Sequence, residues 1–247
     1  MNKKIAIALL SVCVIGAQAQ SLKNKLKTAE HKAEQKVTGS SNSKAGLSNE
    51  DIIAGLKEAL SKGTDNSTAS ASKVDGYLKN PAIYVPFPPE AEKIKTELIA
   101  LGYKAKVDEF ETSVNRAAEQ AATSAAPIFL GAVKNMNVTD GLSILKGADT
   151  AATHYLRQNT SATLTTQYHP IVKEALAKSN ATSYWASLVG IYNKIPFVKK
   201  QNPDLEGFVT AKALDGLFYL VGQEEAKIRK DPAAQVTDLL KKVFGNK

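Results

Sequence analysis

The chain has 247 residues, of which 43% are hydrophobic and 23% charged, with a formal net charge of +8. That is ample for a real hydrophobic core, in one large domain or two small ones. The charge invites a nucleic-acid partner, but its distribution argues against one: Lys3 and Lys4 stand at the extreme N-terminus, residues 20–47 carry six lysines against two glutamates, and only +2 is left on residues 48–247.

Residues 1–19 have the three parts of a cleavable signal peptide, with Asn2, Lys3 and Lys4 as the cationic start, Ile5 to Ile15 as the apolar run and Ala17-Gln18-Ala19 as the small-x-small exit. The run is 11 residues, far short of the roughly 20 of a spanning helix, and no later segment is uniformly apolar. Export to the periplasm without a transmembrane helix is expected. Extracellular release, or acylation at Cys13, is the less favoured route, because Val12 stands where a small residue is needed and the apolar run continues through Val14 and Ile15. Cleavage after Ala19 leaves a mature chain without cysteine, which excludes disulfides, thiolate catalysis and cysteine-bound metals. Residues 20–46 read as a basic flexible tether, with Leu22 to Val37 able to form a weak helix or touch anionic lipid.

The domain proper, residues 47–247, is expected to be all-α. Ser48 followed by Asp51 is an N-cap pattern, and Ile52, Ile53, Leu56 and Leu60 share a face, which predicts a helix over 49–61. Gly63 and the Ser/Thr/Asn-rich stretch after it are expected to end it, with Ala69 to Val74 as a place where a helix can resume. Four prolines between Pro81 and Pro89 make that segment extended, and Ile83, Tyr84, Val85 and Phe87 make it too apolar for a free linker. It is expected to lie across the helical body as a packed crossover or short edge strand.

Pro89 to Gly102 turns helical, and Val107, Phe110, Val114, Ala117 and Ala121 mark the buried stripe of the next helix. Pro127 opens another helix, Asn137 and Asp140 can cap a short one ending at Lys146, and Gly147-Ala-Asp149 marks a turn. Ser161 is expected to cap a helix facing inward through Leu164, Tyr168, Val172 and Leu176, bent at Pro170. Tyr184, Leu188, Ile191 and Tyr192 form the next face, broken by Pro196. An apolar segment from Val209 to Val221 runs on to Arg229, and a terminal amphipathic helix carries Val236, Leu239, Leu240, Val243 and Phe244. No repeat period and no sustained heptad appears, so one multi-helix domain is expected and not a long coiled coil.

Familiar chemistry is largely absent. No two glycines lie two positions apart, which removes the dinucleotide-binding loop, and there is no Gly-Lys-Ser/Thr phosphate loop or Gly-x-Ser-x-Gly elbow. Ser-x-x-Lys at Ser41, Ser70 and Ser143 lacks the partner motifs of a penicillin-binding nucleophile. His31, His154 and His169 never pair at helical ligand spacing, so neither metal nor other cofactor is expected.

Three polar groups lie within otherwise apolar helices: Asn115, Arg116 and Glu119; Asp149, Tyr155 and Arg157; and Lys212 with Asp215. Buried charges need partners, so structural ion pairs and caps are the first reading. The second is a binding site, in which Arg116 and Arg157 converge on one cleft and hold a carboxylate or phosphate.

The stretches Leu47 to Leu60, Asn115-Arg-Ala-Ala-Glu119, Gly147-Ala-Asp-Thr-Ala-Ala-Thr153, Lys212-Ala-Leu-Asp-Gly-Leu-Phe218 and the closing Asp-Leu-Leu-Lys-Lys-Val-Phe-Gly245 resemble, in order and spacing, the bacterial domain-of-unknown-function family 4197. The resemblance spans about residues 47–245. It implies an exported helical unit and brings no catalytic residue. The expected function is noncatalytic binding of a small ligand, a lipid or an envelope protein in an inter-helix cleft. An unfamiliar hydrolase-like enzyme, or an envelope protein held by its basic N-terminal segment, are the alternatives.

Overall fold

A computed structural model describes residues 47–139 and 141–245. The expected signal peptide, the tether, Cys13, His31 and the Asp140 cap lie outside the described residues.

The first helix, α1 (Asn49–Ala71), begins as the pattern requires, with the Ser48 hydroxyl accepting the Asp51 N–H at 3.1 Å. It does not stop near Gly63. A side chain at Gly63 would meet the Val221 carbonyl oxygen at 3.3 Å, so the glycine serves close packing against the last long helix. Thr64, Ser67 and Thr68 are buried, and Thr68 turns its hydroxyl back to the Thr64 carbonyl. Composition alone suggested a loop here; helix–helix contact overrides it.

Residues 72–88 then cross the body without a strand. Ile83, Val85 and Phe87 are buried in alternation, and Phe87 joins Phe110 and Trp185 in an aromatic trio with ring centroids 5.1–5.5 Å apart. After a 3-10 turn at Pro89–Ala91 comes α2 (Glu92–Ala100), which ends at Gly102 with φ of 86°, a left-handed geometry that glycine adopts freely. α3 (Lys104–Ala122) buries the whole predicted stripe.

α4 (Ala125–Asn135) starts two positions before Pro127, which the first turn tolerates. The short α5 (Gly141–Lys146) follows, and here Asn49 of α1 supplies the cap, its Oδ1 accepting the Gly141 N–H at 3.1 Å. α6 is a single helix of 28 residues, Ala151–Lys178. The predicted start at Ser161 is absent: its hydroxyl donates to the Arg157 carbonyl within the helix. Pro170 lies inside α6.

α7 (Ala181–Tyr192), α8 (Leu205–Lys230), a 3-10 turn at Pro232–Ala234 and α9 (Asp238–Phe244) complete the described elements, and Val236, expected on the face of the last helix, precedes that helix and is exposed. α8 packs along α1 and, antiparallel, along α6; α4 touches α1 and α6, α3 packs on α6 and α7, and α9 lies on α1. That last contact requires Gly55, where an added Cβ would stand 2.6 Å from Val243. The described residues form an all-α body in the compact unit 47–247. No helix among them is long and apolar enough to cross a membrane.

Candidate functional site

The first polar group holds the crossover. Asn115 is fully buried on α3; its Oδ1 accepts the Val85 N–H and its Nδ2 donates to the Val85 carbonyl, both at 2.9 Å. One amide thus gives Val85 the two bonds that a neighbouring strand would give it. One turn further on, Glu119 accepts the N–H groups of Tyr77 and Leu78 at 3.2 and 3.1 Å. Its other oxygen takes Arg116 at 2.6 Å, and Arg116 reaches Asp75 at 2.7 Å. Hydrogen bonds from Lys79 and then Arg116 hold Asp75 below its ordinary 3.8, while Glu119 and Asp75 raise Arg116. The Tyr77 hydroxyl donates to the Ala213 carbonyl at 2.8 Å, and Gly216 leaves room for the Tyr77 ring.

The other two groups are regrouped by the fold. Asp149 pairs with Lys230, and Tyr155 donates its hydroxyl to the Asn137 carbonyl. Arg157 of α6 instead meets Asp215 of α8, with Lys212 at 4.0 Å from the same carboxylate. The Arg157 guanidinium also lies 5.4 Å from the Phe218 ring centroid. Arg157 and Asp215 border a surface groove of 330 Å³ together with His154, Tyr219 and Gln223. Both charged side chains are nearly half exposed, so their pairing is worth at most about 1 kcal/mol. Arg116 is not part of this groove. Each arginine is engaged by carboxylates of its own surroundings, and the two do not converge.

A fourth cluster lies outside the three polar groups named from the sequence. Glu225 of α8 is wholly buried and accepts the N–H groups of Ala152 and Thr153, at 3.0 and 2.7 Å, from the first turn of α6. The Thr153 hydroxyl adds a bond at 2.7 Å, and Arg229 closes an ion pair at 2.7 Å. Arg229 also donates to the Leu145 carbonyl at 2.8 Å, at the end of α5. The carboxylate thus faces a positive helix start and the guanidinium a negative helix end. The signal was available: the stripe Leu214, Leu217, Val221 continues at helical spacing to Glu225 and Ile228. All four polar clusters contain partnered charges that join elements.

A different surface lies between α4 and α6. It is a groove of 640 Å³, walled by Pro127, Ile128, Gly131, Ala132 and Met136 from the α4 side and by Asn159, Thr160, Thr163 and Gln167 of α6, with Asn135 and Asn137 at one end. None of the lining residues is charged. Asn159 and Thr160 bond to carbonyls of their own helix at 2.8 and 2.6 Å. The side chains of Asn135, Asn137, Thr163 and Gln167 have no hydrogen-bond partner among the described residues. A side chain added at Gly131 would meet nothing within 4 Å, so packing does not require a glycine in mid-helix there. Its effect is to keep the groove open.

Fold and surface together define a helical domain braced by internal ion pairs, with an uncharged groove between two helices. The chain belongs to the family described as protein of unknown function (DUF4197), which matches residues 46–245. No curated protein and no solved structure matches it.

Proposed function

We propose that this is an exported, noncatalytic binding domain whose α4–α6 groove takes a neutral ligand rich in hydrogen-bonding groups, such as a glycan or the backbone of an uncharged peptide segment. One observation carries the proposal: six of the eleven lining residues are amides or alcohols, none is charged, and the rest are apolar or glycine. A phosphate or carboxylate would find no cation there, whereas amide and hydroxyl groups above an apolar wall match a ligand that presents donors, acceptors and C–H faces together. The charged clusters support the noncatalytic part, since Arg116, Glu119, Asp149 and Arg157 each have ionic partners. Export rests on the N-terminal pattern.

Thermal-shift screening with neutral oligosaccharides and uncharged peptides, against charged counterparts, followed by calorimetry on hits, tests the proposal. Gly131→Leu supplies the control. It removes a helix-interior glycine, so stability is expected to rise by about 0.5–1 kcal/mol, while a leucine in open groove space lowers affinity at least about tenfold. A stabilised variant that binds as the parent does, or hits confined to anionic compounds, would sink the assignment to this groove.

A further inference from the structure

Between α7 and α8 the chain forms a short loop whose ends are tied by one side chain. Asn193 donates Nδ2–H to the Gln201 carbonyl at 3.0 Å and accepts the Gln201 N–H at Oδ1 at 2.9 Å. Within the loop, Ile195 and Val198 pack against the core. Phe197 between them does the opposite. Its exposure is 106%, so its ring has no contact with the rest of the domain, and its φ is 65°, in the left-handed region. Few side chains adopt that conformation, and a bulky one does so only when the surroundings impose it. Here the Asn193 clamp and the two inward anchors impose it, and the outcome is an aromatic ring held in water.

The charged residues next to the ring in sequence have one sign. Lys194, Lys199 and Lys200 are exposed, none has an ion-pair partner among the described residues, and the chain carries no acidic residue from Ala175 to Pro203. A lone ring is too small for the buried centre of a stable protein interface. One aromatic group flanked by long cationic side chains does suit the boundary of an anionic bilayer, where the ring enters the acyl region and the ammonium groups stay with the phosphates.

We infer that the loop Asn193–Gln201 docks the domain on an anionic lipid surface, with Phe197 as the inserting group and Lys194, Lys199 and Lys200 as the headgroup contacts. The docking is peripheral and independent of the α4–α6 groove.

The test is partitioning of the full chain onto vesicles of phosphatidylcholine alone and of phosphatidylcholine with one-third phosphatidylglycerol, for the parent, Phe197→Gly and the triple variant K194Q/K199Q/K200Q. The N-terminal segment is common to all three chains, so the three differ only in the loop. Phe197→Gly is expected to lower partitioning onto the anionic vesicles about tenfold, with a melting temperature equal to or above the parent's because glycine accepts the positive φ. The triple variant is expected to lose more, at about fivefold per lysine, and added salt should weaken the parent's binding. Phe197→Gly binding within about twofold of the parent overturns the proposal. So does equal parental binding to both vesicle types. A fall in the melting temperature of Phe197→Gly overturns it too, by making the ring a stabilising group, and so does a parent-only shift in sedimentation without lipid, which would assign the loop to a second copy.

Discussion

Glu225 and Arg229, one turn apart on α8, form an ion pair of 2.7 Å with side chains 0% and 2% exposed. The pair joins three helices, because Glu225 receives the first N–H groups of α6 and Arg229 gives hydrogen bonds to the last carbonyls of α5. Removing one partner leaves the other charge buried. Glu225→Ala is therefore expected to cost about 3–5 kcal/mol, whereas the double change E225M/R229M, which removes both charges and keeps the volume, costs less. Urea denaturation of the two variants decides this. A loss below about 1 kcal/mol for Glu225→Ala would mean that the pair does not brace the fold.

Asn115 is expected to matter through geometry and not charge. In Asn115→Leu the Val85 N–H and carbonyl stay buried without their partner, a loss of about 2–3 kcal/mol. Hydrogen exchange should show the effect concentrated in residues 72–91, with α8 less affected. Uniform loosening of all helices would contradict a local clamp.

The acid limb of stability should carry Asp75. Its folded-state value is depressed below the ordinary 3.8 by Lys79 and Arg116, so its contribution is complete above that value and disappears as pH falls through the lower, folded one. The melting temperature should thus be insensitive to Asp75 from neutral pH down to about 5 and fall below about 4. Asp75→Asn should start lower at pH 7 and lose less on acidification. Parallel curves for parent and variant would exclude Asp75 from the acid transition.

Tyr168 offers a test of the opposite sign. Its ring is wholly buried and its hydroxyl has no hydrogen-bond partner among the described residues, so burial pushes its ionisation well above the usual tyrosine range. Tyr168→Phe removes only that unpaired oxygen and is expected to stabilise by about 1 kcal/mol. Destabilisation measured in urea would reveal a partner for the hydroxyl in solution.

Most helices could be read from periodicity, because a buried stripe at spacing three and four survives any local irregularity: Val107 to Ala121 and Val209 to Val221 are both buried much as they are patterned. The failures came where a neighbouring helix outweighed local propensity. Gly63 and the threonines after it look like a stop until α8 is placed against them, and Ser161 looks like a cap until α6 is seen to pass straight through it. The candidate polar residues were visible as charges inside apolar helices, but their partners were not. Arg157 meets Asp215 across 58 positions, and Glu225 meets Thr153 across 72.

By itself, then, the sequence determined the helical class, the family and most of the faces that are buried, because these depend on residue type and short-range spacing. Only the tertiary structure decided which charges are already satisfied, that Asn115 bonds the backbone of Val85, and that an uncharged groove opens between α4 and α6. Those are relations between residues far apart in the chain, and hydrogen bonding and desolvation act on distance in space, which local spacing does not encode.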